Sequence, residues 1–240
     1  MDINKAFSYQ FEDKQWTHKL GIGAVISLVP ILNFALSGYI VGIIRNVMNN
    51  SAEILPGWDD LGKKFRDGLI LFAAGLIYAL PLLIILLPIG IMSAGGIISG
   101  NGKLQGIGHI FSGAGSVLLY CFLCFIIIYA LALSVVYPAI LVMFARDGTF
   151  ASCFKLREVF GIVNKNAGPF FTAWIVSFGG GVVVGLIVGF INLIVGWIPC
   201  FGWIVSLATS LASTIYILTV YAFLFGQFGL VAFGQSQPLG

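Results

Sequence analysis

Four long hydrophobic runs constrain this chain more than any other feature of its sequence. None of them contains Asp, Glu, Lys, Arg or His; they are Leu69–Ile91, Val117–Phe144, Phe170–Val195 and Trp203–Phe228. A helix rises about 1.5 Å per residue, so about 20 residues cross the hydrocarbon core of a bilayer. Only 9% of the 240 residues are charged, whereas about 25% is usual in a soluble domain. The sequence therefore predicts an all-α integral membrane protein with four transmembrane helices.

A fifth run, Leu20–Ile44, is also long enough to span, but Pro30 and Asn33 interrupt it. Proline lacks a backbone donor, and asparagine favours turns. If this run spans the membrane, the Lys and Arg residues divide 4 against 8 between the two sides. If it is a re-entrant hairpin, 11 of the 12 share one side, with Lys103 opposite. Because cytoplasmic loops carry an excess of Lys and Arg, we predict the hairpin, in the cell membrane with both termini cytoplasmic.

With the hairpin, the chain reads as one membrane domain, 1–240, made of three similar parts. Each part begins with an amphipathic segment and continues into a hydrophobic hairpin; the parts are 1–45, 58–145 and 147–229. The amphipathic segments are Asp2–Trp16, Trp58–Gly68 and Asp147–Asn166. One oily and one charged face suit a helix to the headgroup plane, so we predict three interfacial helices. Their basic, aromatic surface should lie against anionic lipid headgroups.

Small residues and turn residues give the candidate interaction sites. Gly181, Gly185 and Gly189 recur every four residues, a spacing that lets helix backbones approach closely within a chain or between subunits. The second hairpin turn, at Pro199, is similar to the first at Pro30. The sequence thus predicts a protein partner or a homo-oligomer as well as contact with lipid.

Several elements together carry a resemblance to a known family. They are the opening Asp2-Ile3-Asn4-Lys5-Ala6-Phe7, Phe11-Glu12-Asp13 with Trp16, the Pro30–Asn33 break, Gly38-Tyr39, Arg45-Asn46 and Leu55-Pro56-Gly57-Trp58-Asp59-Asp60. This combination resembles the prokaryotic membrane family catalogued as domain of unknown function 4013. The resemblance implies a bacterial or archaeal multi-pass membrane protein, and it implies no activity.

The most distinctive polar cluster is Trp58-Asp59-Asp60. Paired carboxylates beside an aromatic ring are suited to bind a cation or the basic groups of a partner. The structural interpretation, which we favour, is that Trp58 anchors at the interface while Asp59 or Asp60 caps the following helix.

A row of hydroxyls on the last run suits either a pore or close packing, and we favour packing. Its members are Ser206, Thr209, Ser210, Ser213 and Thr214.

The sequence argues against most catalytic chemistry. Its two histidines lie in separate segments, so no Ser-His-Asp or Cys-His set is expected, and we predict no cofactor and no metal. A net charge of +3 gives no indication of nucleic-acid binding. We therefore expect a non-enzymatic structural or accessory subunit, or a membrane-shaping scaffold. The alternatives are a transporter or channel for an uncharged or lipid-like substrate and, below that, an intramembrane enzyme acting on lipids.

Overall fold

The protein is all-helical in the computed structural model, which describes residues 1–98, 114–198 and 201–234. These residues form eight α-helices and a short 3-10 helix, with no strand among them. The helices are α1 (Ile3–Glu12), α2 (Trp16–Leu28), α3 (Asn33–Met48), α4 (Leu61–Ile98), α5 (Ala114–Asp147), the 3-10 helix (Phe150–Phe154), α6 (Leu156–Lys165), α7 (Ala167–Val195) and α8 (Phe201–Gly234). The all-α prediction is confirmed.

Four of these helices contain segments long and apolar enough to cross a membrane. The segments are Leu61–Ile84, Tyr120–Asp147, Ala167–Val195 and Phe201–Gly234. They overlap the four hydrophobic runs of the sequence, although two of the helices, α4 and α5, extend beyond the runs into charged residues. Four such helices fit a multi-pass membrane protein.

The chain divides into two compact units. The first unit contains Met1–Phe72 and Pro138–Gly240, and the second contains Ala73–Tyr137. Pro138, at one boundary of the division, lies inside α5 and lacks the N–H that a helix interior uses. In the second unit, the Tyr129 hydroxyl donates to the Tyr78 carbonyl at 2.6 Å, which links α4 to α5. Whether the whole chain acts as one membrane domain remains a prediction.

The three amphipathic segments differ in how they fold. The first forms α1 and the third forms the 3-10 helix and α6, whereas the second has no helix of its own. Residues 61–68 are the first two turns of α4 and run into it without a break, because no proline or glycine pair separates them. α1 buries Ala6, Tyr9 and Gln10 and leaves Phe11 exposed, so it has a protein-facing side and an apolar outer side.

The core of the first unit lies around the C-terminal half of α8. α3 packs there so closely that two α8 glycines, Gly226 and Gly229, lie directly against Val47 and Met48. Phe170 from the first turn of α7 sits edge-on to Phe225 and Phe228, at 5.8 and 5.1 Å between ring centroids. The end of α5 completes this core, with every residue from Ala139 to Ala145 buried.

α2 and α3 form a helical hairpin, with the chain turning at Val29–Leu32. Asn33 donates its backbone N–H to the Val29 carbonyl at 3.0 Å, which closes the turn. α3 then runs beside the start of α4 in close contact: a Cβ at Gly38 would overlap the Lys64 backbone, and one at Gly68 the Phe34 backbone. Only glycine permits helix axes to approach this closely, so these two positions fix how α3 meets α4.

Candidate functional site

Arg45, at the C-terminal end of α3, joins three helices of the first unit. Its Nε donates to the Ala145 carbonyl of α5 at 3.0 Å, and its Nη1 lies 3.4 Å from Asp67 Oδ2 of α4. The Asp67 side chain is only 4% exposed. A cation is also stabilised at this end of α3, where the helix dipole is negative. Just beyond, the Arg146 guanidinium lies 4.3 Å from the ring centre of Phe233 near the end of α8.

Lys19, in the first turns of α2, joins the two ends of the α2–α3 hairpin. Its Nζ donates to Asp13 Oδ2 at 2.7 Å and to the Leu55 carbonyl at 2.9 Å. Trp58 adds a second link, because its Nε1–H donates to the Lys19 carbonyl at 2.7 Å. The Trp58 ring also stacks on Tyr39 of α3, with centroids 4.5 Å apart and planes inclined by 4°. Leu55, seven residues after the end of α3, therefore lies against the first turns of α2.

A polar cavity of about 590 Å³ opens beside Lys19. It is lined by the α1–α2 connection and by the loop after α3, and its carboxylates are Glu12, Asp13, Glu53 and Asp59. Burial alone would raise the pKa of Asp13, but hydrogen bonds from Lys19 and from the Gln15 backbone N–H outweigh it, so the net pKa is lowered. Within residues 1–98, 114–198 and 201–234, no three His, Cys, Asp or Glu side chains group as a metal site would require.

A second cavity, of about 440 Å³, is a mostly apolar groove between α1, α2 and α8. α1 runs antiparallel to α8: Asp2 donates its N–H to Gln227 Oε1, and the Tyr9 hydroxyl donates to the Thr219 carbonyl at 3.0 Å. Gln10 lines the groove and is fully buried. Its amide nitrogen and oxygen have no hydrogen-bond partner among the described residues.

The α7–α8 hairpin carries its polar groups in pairs. Thr209 Oγ1 donates to Asn192 Oδ1 at 3.1 Å, and Asn192 Nδ2 lies 3.4 Å from Ser210 Oγ. The hydroxyls of Ser213 and Thr214 donate to the Ser210 carbonyl of their own helix. The contacts of Asn192 link α7 to α8 through side-chain hydrogen bonds, as in packed membrane helices.

The family comparison matches most of this architecture. The model of the family described as "Protein of unknown function (DUF4013)" matches residues 22–193. The chain belongs to the DUF4013 family. The matched range contains the Pro30–Asn33 break, Gly38-Tyr39, Arg45-Asn46 and the Leu55–Asp60 element, whereas α1 and the opening residues precede it. No curated protein and no solved structure matches the chain.

The three residues of the predicted polar cluster of this DUF4013 member, Trp58-Asp59-Asp60, have different contacts in the structure. Asp60 Oδ1 accepts the Lys63 N–H at 3.2 Å, which is the geometry of a helix N-cap for α4. Asp59 instead lines the polar cavity. Trp58 stacks on Tyr39 and donates to the Lys19 carbonyl, so it holds the hairpin, and its anchoring at the membrane interface stays a prediction.

The candidate small residues and the candidate turn residues also lie in different surroundings. Pro30 lies in the turn between α2 and α3, and Asn33 begins α3. A Cβ at Gly181 would lie 3.9 Å from Ile217 of α8, whereas positions 185 and 189 face open space. Pro199 falls outside the described residues. Trp197 and Trp203, on either side of positions 199 and 200 in the sequence, are 87% and 86% exposed, as in an aromatic belt at a membrane interface.

Sequence reasoning missed the residues that hold the first unit of this DUF4013 member together. Arg45 and Lys19 were counted only among the basic residues that set topology, and Asp67 lay within the amphipathic segment Trp58–Gly68, yet each makes a buried or half-buried contact between elements. Gln10, on α1, was not among the predicted site residues. One signal was available: Ile3, Phe7 and Phe11 form one apolar face at i, i+4 and i+8, and Ala6, Tyr9 and Gln10 form a second uncharged face beside it, which suits a helix that packs on both sides.

Proposed function

We propose that this protein is a non-enzymatic structural or accessory membrane protein that holds an extra helical hairpin, α2–α3, in one leaflet of the bilayer. The observation that supports the proposal most is the meeting of basic segments within the first unit. Lys19 contacts Leu55, and Arg45 contacts Asp67 and Ala145. These contacts support the placement of the N-terminal segment, the loop after α3 and the end of α5 on the same side of the membrane.

The dimensions of the hairpin support a partial insertion. α2 has 13 residues and α3 has 16, which correspond to about 20 and 24 Å of helix, less than the core of about 30 Å. The tip is apolar and exposed, including Val29, Ile31 and Leu32. Such a tip suits lipid tails better than water, while the polar groups at the base stay near the headgroups.

In the first unit, neighbouring helices cover the two halves of α8 to different extents. Its C-terminal half is enclosed by α1, α3, the end of α5 and the start of α7, whereas Phe201, Trp203 and Ile204 are exposed. With the basic segments against anionic headgroups, the cytoplasmic leaflet would accommodate more of this unit than the opposite leaflet does. That asymmetry suits a membrane-shaping scaffold or an accessory subunit.

The exposed face of α7 supplies a surface for a protein partner or a second copy. Leu186 and Phe190 are exposed there, and the adjoining positions Gly185 and Gly189 are open. A partner helix could approach closely at these glycines, since no side chain stands in its way.

Isolation in mild detergent tests the proposal. The wild-type protein should purify as a defined oligomer or with a stoichiometric partner. Gly185→Leu fills the open face and should release that partner at unchanged unfolding temperature. Gly62→Leu is the matched control, because position 62 also faces open space but lies in the first turn of α4. A wild-type monomer that alone catalyses solute flux or lipid turnover would overturn the proposal.

Transport of an uncharged or lipid-like substrate is the second candidate. The break between α2 and α3 favours it, because interrupted membrane helices often build substrate sites. Flux measured in proteoliposomes tests this candidate. Ser210→Leu should abolish the flux if Ser210 lines the route, and flux that persists in this variant would remove α8 from it.

A further inference from the structure

We infer that the groove between α1, α2 and α8 is a binding site for a single-chain glycerolipid, in which one ester carbonyl lies next to a free hydroxyl. This inference goes beyond the proposed function and rests on it only in that the groove must face lipid. Its volume of about 440 Å³ falls in the range of about 300–1,000 Å³ that small-molecule sites occupy.

The unpaired amide of Gln10 is the observation that selects the ligand. The side chain is fully buried, and both its donor and its acceptor are without a partner among the described residues. Leaving a buried polar group unpaired destabilises the protein, so a ligand that offers partners recovers that cost. A carboxamide needs an acceptor for its nitrogen and a donor for its oxygen. A hydroxyl beside an ester carbonyl supplies both at adjacent atoms.

The walls of the groove suit one acyl chain. Leu20 and Ala24 of α2 face Ala212 and Ile215 of α8, and Gly21 leaves open space between them. The one hydroxyl on the α8 wall that is not part of a tyrosine, Ser213, already donates to the Ser210 carbonyl at 3.0 Å. Gln10 is therefore the fully buried polar side chain of the groove that still needs a partner.

The two ends of the groove differ in the way that a lipid requires. Aromatic side chains collect at one end, where Phe11 and Trp16 meet edge-on at 5.0 Å and Tyr216 stands 6.3 Å from Phe11. Small side chains form the other end, toward Ala24 and the hairpin tip. Aromatic residues favour the headgroup level, so the ester would lie near Gln10 and the chain would point toward the tip. The flexible Gln10 side chain must turn toward the groove to make these bonds.

Native mass spectrometry of the delipidated protein in detergent tests the site. The probes are 1-oleoylglycerol and methyl oleate, which share the chain and the ester but differ in the hydroxyl. We expect 1-oleoylglycerol to bind saturably at one site, and methyl oleate to bind roughly tenfold more weakly because two hydrogen bonds at most become one. Gln10→Leu removes the partner of both bonds, so it should weaken 1-oleoylglycerol roughly a hundredfold and methyl oleate roughly tenfold, after which the two probes should bind alike. Equal binding of both probes to the wild type, or no effect of Gln10→Leu, would overturn the assignment.

Gly21→Leu keeps the test independent of folding, because a Cβ at position 21 meets no atom within 4 Å and Gly21 lines the groove. It should abolish binding of both probes while the protein keeps its oligomer or partner. Gly185→Leu should do the reverse and retain the lipid. Unchanged binding in Gly21→Leu would contradict the lipid site alone, whereas a partner that persists in Gly185→Leu would contradict the proposed interaction surface alone.

Discussion

The two halves of α8 share one kind of sequence and have opposite surroundings. Neither half contains a charged residue. The C-terminal half, from Ile215 to Gly229, is largely buried against α1, α3, α5 and α7, whereas the N-terminal half exposes Phe201, Trp203 and Leu207. Hydrophobicity therefore identifies a membrane helix without saying whether lipid or protein covers it. The contacts that neighbouring segments make decide between the two.

The largest expected loss of stability comes from a substitution in the packed C-terminal half of α8. Gly226→Leu would place a Cβ 2.6 Å from the Cβ of Val47 and 3.3 Å from the Ile44 carbonyl oxygen, and neither group can move freely. We expect a loss of about 3 kcal/mol, at the upper end of the usual cost of overpacking. Reversible unfolding in detergent measures it. Gly185→Leu, in open space on α7, is the matched control and should cause no loss; equal losses would show that the two regions do not differ in packing.

The buried ion pair at the end of α3 should have the next largest effect. Asp67→Ala leaves the Arg45 guanidinium with one partner fewer in a half-buried position. A loss of about 1.5–3 kcal/mol is expected, as for hydrogen bonds to charged groups. Arg66→Ala removes the neighbouring charge, which is 70% exposed, and should change stability by less than about 0.5 kcal/mol. A similar loss in both variants would mean that net charge, and not the buried contact, is what matters.

Matched tryptophan substitutions sharpen the comparison further. Trp58→Phe keeps a ring on Tyr39 but loses the hydrogen bond to the Lys19 carbonyl, which should cost about 1 kcal/mol. Trp203→Phe, at the exposed end of α8, should leave stability in detergent unchanged. The same unfolding measurement checks both variants, and a larger loss for Trp203→Phe would reverse our assignment of the packed end.

The smallest effect is a dependence on pH. The pKa of Asp13 is lowered in the folded protein, so its contact with Lys19 stabilises the fold above the ordinary carboxyl pKa of about 4. This contribution is lost as the pH falls through the lowered pKa. Asp13→Asn should therefore reduce the unfolding temperature at pH 7 and match the wild type at pH 2. A difference between the two proteins that grows toward acid would contradict the sign of this shift.

The sequence was sufficient for the parts of the fold that depend on local pattern. The four long apolar runs lie on the four candidate spanning helices, and the Pro30–Asn33 break falls at the turn between α2 and α3. Asp60 caps α4 because its short side chain reaches the Lys63 N–H three residues on, which is a local contact.

Contacts between distant segments could not be predicted in this way. The contacts of Trp58 with Tyr39 and with the Lys19 carbonyl were not predicted, because these partners are 19 and 39 positions away and no spacing rule links them. Gln10 lies on a helix whose apolar spacing points to a different face. The independent helix expected at Trp58–Gly68 became the start of α4, since amphipathic pattern indicates a face and not where a helix ends.

Cysteine labelling from either side of the membrane tests the central claim most directly. In a background without Cys121, Cys124, Cys153 and Cys200, single variants Lys5→Cys, Asn50→Cys and Lys103→Cys are treated with an impermeant maleimide in sealed, oriented vesicles. We predict that positions 5 and 50 react from the same side and position 103 from the other. Reaction of positions 5 and 50 from opposite sides would mean that Leu20–Ile44 crosses the bilayer, and the hairpin in one leaflet would be wrong.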